Sequence, residues 1–206
     1  LDKRYLQQLE ARGVPVAPTI WLERGQAVDL GAVMDAEGWT RAFLKPVVGA
    51  AARATRRFTR DEAADAQAWL GPVLAAEPMM LQPYLPAVET FGEVSAICVD
   101  GRFAHGVRKV PVPGDYRVQD DFGASDEPFA FTESDLALVE HTLQAAAEAL
   151  CRPEPLCYAR VDLLRDEDDN WVLTELELVE PSLFFRHQPE TADKLADAVL
   201  DRVRAR

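Results

Sequence analysis

Three carboxylates and a guanidinium fall at strand spacing near the end of the chain: Arg160 and Asp162 in residues 158–164, Glu175 and Glu177 in residues 171–178. Both segments are rich in β-branched, aromatic and leucine residues. The polar stretch 166–170 between them has the composition of a hairpin turn. Side chains alternate faces along a strand. Arg160, Asp162 and Leu164 are therefore expected on one face of the first strand, and Leu173, Glu175 and Glu177 on one face of the second. With the turn near Glu167 and Asp168, Asp162 is expected about opposite Glu175, and directly paired side chains have Cβ atoms roughly 5 Å apart. Like charges so placed repel. A hard divalent cation with oxygen ligands would remove that cost, Mg²⁺ on substrate phosphates being the common case. A solvated acidic hairpin is the other reading of the same residues.

The second group is cationic. Only four of the 22 basic residues are lysines: Lys3, Lys45, Lys109 and Lys194. A lysine in such a chain marks a place where a compact ammonium is wanted. Lys45 stands just before the small-residue run 49–55, Gly-Ala-Ala-Ala-Arg-Ala-Thr. Backbone N–H groups of such a loop can approach phosphates, and the lysine adds a point charge. Alanine spacers in an ordinary hairpin explain the run equally. The three histidines, His105, His141 and His187, have no ligand spacing. Neither a Ser–His–Asp nor a Cys–His signature is present.

The elements that must position these groups follow from periodicity. A helix is expected over residues 2–12, with Tyr5, Leu6 and Leu9 as its stripe and Gly13 as its stop, and a short one over 29–38. Strands are expected at 41–48 and 56–58 around the small-residue loop. A helix over 61–76 would turn Ala64, Ala68 and Leu70 inward. Residues 79–85 read as a buried strand, and 93–99 with 102–109 as a hairpin about Asp100-Gly101. On its first strand Glu93, Ser95 and Ile97 share a face. The charged loop 111–124 holds Arg117 and Gln119 and is longer than a plain connector needs. Thr132 caps a helix to residue 150 with Leu136, Val139, Leu143, Ala146, Ala147 and Leu150 inward. A last helix over 190–204 would bury Leu195, Val199 and Val203. Helices and antiparallel hairpins alternate, so the class is α+β. Two lobes are expected, 1–77 and 78–206.

Composition narrows the function. The 206 residues are 48% hydrophobic, enough for a real core. A net charge of −13 opposes nucleic-acid binding, which needs clustered basic residues. No apolar run reaches the roughly 20 residues of a membrane span. The first 20 residues are too charged for a signal peptide. Three cysteines (Cys98, Cys151, Cys157) without metal spacing fit reduced thiols in a cytoplasmic protein.

Taken in order, these pieces resemble the ATP-grasp superfamily, in particular its glutathione-synthetase-like and D-alanine–D-alanine-ligase-like members. The series runs Asp2-Lys3-Arg4-Tyr5, Leu44-Lys45-Pro46, Gln82-Pro83-Tyr84-Leu85-Pro86, Gly92-Glu93, Lys109-Val110-Pro111, Arg117, Ala159-Arg160-Val161-Asp162 and Glu175-Leu176-Glu177. The closing Glu-Leu-Glu-Leu-Val-Glu-Pro-Ser-Leu-Phe is similar to a group that includes a D-cycloserine-forming cyclo-ligase. The resemblance implies two α+β lobes with antiparallel sheets enclosing an ATP cleft. It implies that Lys3 and Lys45 hold phosphates, with the loop beginning at Gly49 closing over them. Gln82, Tyr84 and Leu85 would meet adenine, Glu93 ribose, and Lys109 the phosphates or adenine. Asp162, Glu175 and Glu177 would hold Mg²⁺, with Mn²⁺ as a substitute. Arg160 would lie by the transferred phosphoryl group and Arg117 by the acceptor. The activity implied is amide-type ligation of small carboxylates and amines, linear or ring-closing, in a protein that could form a homodimer. A nucleotide-binding module without turnover and a small-molecule phosphotransferase are the competing readings. Two departures stand out: alanines replace the glycines of the family's phosphate loop, and the substrate domain that precedes Lys3 in most members is missing from this stretch.

Overall fold

The computed structural model describes residues 2–49 and 52–205. Ala50 and Ala51 of the expected phosphate loop, and Leu1, lie outside the described residues. The chain forms two compact units. The first comprises residues 1–5 and 17–85, the second residues 6–16 and 86–206. The expected break at 77/78 falls inside the first unit, because the strand after it is central to that unit's sheet.

In the first unit, β1 (Ile20–Leu22), β2 (Arg41–Pro46), β3 (Arg56–Thr59) and β4 (Met79–Pro83) form an antiparallel sheet in the order β1-β4-β2-β3, and α2 (Leu30–Glu37) and α3 (Ala63–Ala76) belong with it. Asp29 caps α2 through the Ala32 N–H, and Gly38 closes it in the left-handed conformation, as its Asp and Gly predict. A Thr59–Glu62 capping box opens a 3₁₀ turn (Arg60–Glu62) that leads into α3. Helix α3 buries Ala63, Ala66, Leu70 and Leu74 against Leu22, Met34, Leu44 and Leu81. Ala64 and Ala68 are exposed instead. Alanine carries little information about which face is inward, and the 3₁₀ turn sets the phase.

The second unit includes most of α1 (Tyr5–Glu10), the short α4 (Ala87–Thr90), α5 (Glu133–Ala149) and α6 (Glu190–Arg204). Its antiparallel sheet runs β7-β6-β5-β8-β9, from β5 (Glu93–Val99), β6 (Arg102–Val110), β7 (Ser125–Phe129), β8 (Tyr158–Arg165) and β9 (Trp171–Glu177). Asp100 and Gly101 both take positive φ, which closes the β5–β6 hairpin with the twist its strands need. Thr132 caps α5 in a box with Asp135. Val139, Leu143 and Ala146 are buried, whereas Leu150 lies past the helix end and is 52% exposed.

Four expectations change. The helix over 2–12 is only six residues long, so Lys3 sits in a turn before it; the Lys3 N–H is held by the Val47 carbonyl and Asp2 bridges Val48. Strand β7 follows the expected loop where no element is expected, since Ser-Asp-Glu-Pro-Phe has no strand-like alternation and its pairing with β6 supplies the order. A bulge between Asp162 and Leu163 pairs Leu173 with Leu163, which takes Leu173 out of the row of Glu175 and Glu177. On α6, Thr191 and Ala198 are buried while Val199 and Val203 are exposed. The helix has a wider apolar arc than its neighbours cover.

Candidate active site

In the second unit the sheet gathers the expected acidic groups on one face. Asp162 pairs with Glu175 and Arg160 with Glu177, a register that depends on the bulge between Asp162 and Leu163, since counting straight through the turn would set Asp162 opposite Thr174. On the other side of β8, Asp162 pairs with Ser95, and beyond that Glu93 pairs with Lys109. Gly92 makes the last pairing close. Its φ is +103°, and a Cβ there would lie 2.3 Å from the Lys109 carbonyl oxygen.

The charges interlock. Arg160 Nε donates to both Asp162 oxygens at 2.9 and 3.1 Å, and Nη2 donates to Asp162 Oδ2 at 2.8 Å and to Glu177 Oε1 at 2.5 Å. Ser95 Oγ donates to Asp162 Oδ1 at 2.5 Å. Lys109 Nζ lies 3.4 Å from Asp162 Oδ1 and forms a close ion pair with Glu93. Thr174 Oγ1 lies on the Asp162 carbonyl at 3.1 Å. Asp162 is 2% exposed, yet Arg160 and Lys109 overcome its burial and hold its carboxyl below the ordinary range. Burial likewise works against Arg160, but Asp162 and Glu177 keep its guanidinium charged. Burial raises Glu93 against the pull of Lys109. It raises Glu177 to about 7 against the pull of Arg160, with Asp162 and Glu175 pushing the same way.

Acids therefore outnumber cations here: Glu93, Asp162, Glu175 and Glu177 surround Lys109 and Arg160. Among the described residues, no group of three or more acidic, His or Cys side chains is arranged to hold a metal alone. Magnesium does not require one, because it takes one or two carboxylates and completes its shell with water and phosphate oxygens. Surplus negative charge of oxygen donors fits such an ion. Glu175 and Glu177 are half-buried, whereas Asp162 is already engaged by Arg160, Ser95 and Lys109. Glu93, expected at ribose, forms its ion pair with Lys109.

Arg117 lies in loop 111–124. Its Nε and Nη2 donate to Asp115, and its guanidinium centre stacks 4.0 Å over Phe122. Arg117 holds the Asp115 carboxyl well below the ordinary range. Neither Asp115 nor Ser95 is among the site residues expected from the sequence. An Asp two residues before an Arg in a Gly-Asp-Tyr-Arg turn is the only signal for the first, and nothing marked the second beyond its shared face with Glu93.

In the first unit Lys3 is buried and its Nζ donates to the Gly49 carbonyl at 2.9 Å. Lys45 lies half-buried on β2, in register with Met80 of β4. Beyond Gly49, Ala52 and Ala54 take positive φ, a conformation that costs alanine about 1 kcal/mol or more each. Arg53 is fastened to Glu77 by two 2.7 Å contacts and to the Val48 carbonyl. Gln82 Nε2 donates to Thr19 Oγ1 at 2.7 Å. Tyr84 is buried between Arg41 and Arg57, with its N–H on the Arg41 carbonyl, and Leu85 is buried after it.

Comparison with known proteins agrees with this fold. No family model matches the chain. The chain is 33% identical over 219 residues to the cycloserine biosynthesis protein DcsG of Streptomyces lavendulae, across 99% of this chain and 70% of that protein. The crystal structure of D-cycloserine synthetase DcsG superposes with a TM-score of 0.87 at 31% identity, covering 98% of this chain and 70% of that one. A D-alanine–D-alanine ligase from Bacillus anthracis shares the fold at a TM-score of 0.69 and 20% identity, over 99% of this chain and 68% of the ligase. The ATP-grasp ligase PsnB, complexed with a minimal precursor, Mg and ADP, shares it at 0.61 and 18%, over 94% and 57%. The chain belongs to the ATP-grasp ligase superfamily, among its carbon–nitrogen bond-forming ligases. Among the described residues no helix is long and apolar enough to cross a membrane.

Proposed function

We propose that this chain activates a small-molecule carboxylate with ATP and passes the acyl group to an amine, as a cytoplasmic ligase using Mg²⁺ or Mn²⁺. The observation that carries this reading is Arg160, a guanidinium fixed in a bed of carboxylates and kept charged at every working pH. The reaction places negative charge on a phosphoryl group in transit. Catalysis then consists of positioning and of cations set in advance, with no side-chain nucleophile. The substrate carboxylate attacks the γ-phosphorus, ADP leaves, and the amine displaces phosphate from the acyl phosphate. Arg160 would steady the transferred group, and Lys3 and Lys45 the nucleotide phosphates. Gln82, Tyr84 and Leu85 would border the adenine. Glu175 and Glu177 would hold the divalent cation, with Asp162 fixing Arg160 beside them. That cation would supply neutralising charge between phosphate oxygens. Arg117, braced by Asp115 and Phe122, suits a carboxylate of the acceptor. Similarity to a D-cycloserine synthetase supports the ring-closing form, in which carboxylate and nitrogen belong to one molecule.

The test is ADP release and product mass over a panel of amino acids, with hydroxylamine as a trap. An ATP-dependent hydroxamate and a dehydrated product are expected. A stable phosphorylated product would make the protein a phosphotransferase. Nucleotide binding without ADP release from any of them would make it a binding module.

A further inference from the structure

Helix α6 carries a second apolar stripe that nothing in the chain covers among the described residues. Its inner face uses Thr191, Leu195 and Ala198. Val199, Leu200 and Val203 are nevertheless 44%, 47% and 66% exposed, and Ala196 is exposed beside them. These four occupy positions i, i+3, i+4 and i+7, the spacing of a helix–helix seam. A lone exposed valine is ordinary; four apolar positions in one seam on a strongly acidic protein are not.

The charges along one edge of the stripe identify what fits it. At about 100° per residue, Asp193, Asp197 and Arg204 fall on the same edge, acids toward the N-terminal half and the arginine in the last turn. All three are exposed. Arg204 reaches only Asp201, at 3.8 Å with both side chains mostly in solvent, whereas Arg202 is tied inward to Asp100 and the Pro155 carbonyl. Consider a second α6 laid antiparallel, with the two-fold axis between Val199 and Leu200. Val199 then meets the second copy's Leu200, and Ala196 its Val203. The second copy's Arg204 falls between Asp193 and Asp197, and the reverse contact repeats by symmetry. A parallel pairing would set acid on acid and arginine on arginine.

We infer that α6 is a self-pairing surface, docking antiparallel on α6 of a second copy of this chain. The inference does not rest on the ligase reading, because its readout is mass rather than turnover.

The experiment is sedimentation of the whole chain over a wide concentration range. A monomer–dimer equilibrium is expected. Val203→Glu, Arg204→Glu, and the pair Asp193→Arg with Asp197→Arg should each weaken it by about tenfold or more. These positions face solvent, so far-UV dichroism and melting temperature should hold. Combining Arg204→Glu with both Asp→Arg changes should restore the dimer, since the charges are reversed together. A parent that stays monomeric at every concentration overturns the inference. So does a dimer indifferent to these substitutions, which would use another surface. Failure of the combined variant to recover after the separate ones dissociate also overturns it, because the partner of α6 would then not be α6.

Discussion

Ser95 Oγ stands 2.5 Å from Asp162 Oδ1 across the β5–β8 pairing, and both side chains are buried. The contact leaves the Asp162 carboxylate little freedom to rotate, and Asp162 in turn fixes the Arg160 fork. Orientation of the Arg160 guanidinium is thus set one strand away from it. Ser95→Ala should cost about 1.5–3 kcal/mol of stability, the value of a hydrogen bond to a charged group. It should lower kcat with little change in the KM for ATP, because a nucleotide contact is not removed. A KM effect without a kcat effect would count against the positioning role.

Removing Arg160 is more damaging. Asp162 would remain buried with only Lys109 opposite it, and Arg160→Ala should cost about 3–5 kcal/mol in chemical denaturation. Arg160→Lys restores one charge but not the two-pronged contact, so it should recover part of the stability and little of the turnover. Equal turnover in the lysine variant and the parent would show that the geometry of the fork is not used.

The approximate register of the β8–β9 hairpin was legible because a polar turn of known length separates two segments whose apolar residues declare themselves strands. That is why Asp162 could be set about opposite Glu175 from letters alone, while the bulge that fixes this pairing and the Arg160–Glu177 one was not legible. Which carboxylate bears the repulsion was not legible. Mutual repulsion predicts that at least one of them is raised, but β5 and β6 bring Ser95 and Lys109 in from some 50 to 70 residues away and lower Asp162. The strain appears at Glu177 instead. Strand β7 and the outward face of α6 escaped notice for a related reason: each is decided by what lies, or does not lie, beside it.

Lys45→Ala should weaken ATP binding by about 1.5–3 kcal/mol, roughly ten- to a hundredfold in Kd, if one charged hydrogen bond to a phosphate is lost. Calorimetric titration of the folded variant measures it. Unchanged affinity would remove Lys45 from the phosphate site.

Thiol reactivity should follow burial. Cys151 is exposed, while Cys98 is buried with its thiol pushed up to about 12 by desolvation. A chromogenic disulfide reagent should therefore label Cys151 first and Cys98 only on unfolding, and reductant should not lower the melting temperature. Early labelling of Cys98 would place it wrongly in the β5 core.

Asp162 and Glu177 should respond to pH with opposite signs. The folded Glu177 carboxyl titrates at about 7 against an ordinary value of 4.5, so between those values the folded state keeps a proton that the unfolded chain has released. Its contribution is complete below the unfolded value and is lost as pH rises through about 7, on the order of 1–3 kcal/mol. Asp162 is lowered in the folded state, so its contribution is present above the unfolded value and lost as pH falls. Glu177→Gln should accordingly flatten the decline in stability between about pH 5 and pH 8, and leave the protein near or above parent stability at the upper end. Asp162→Asn should lower stability throughout that range, because Arg160 and Lys109 lose a buried counter-charge. Both should abolish turnover with Mg·ATP, the first by removing an oxygen ligand and the second by releasing Arg160. Urea denaturation at several pH values, alongside ADP release, separates the two. If both substitutions shift stability in the same direction at about pH 8, the carboxylates are not divided as the hydrogen bonds divide them. The assignment of Glu177 to the cation and Asp162 to the arginine would then fail.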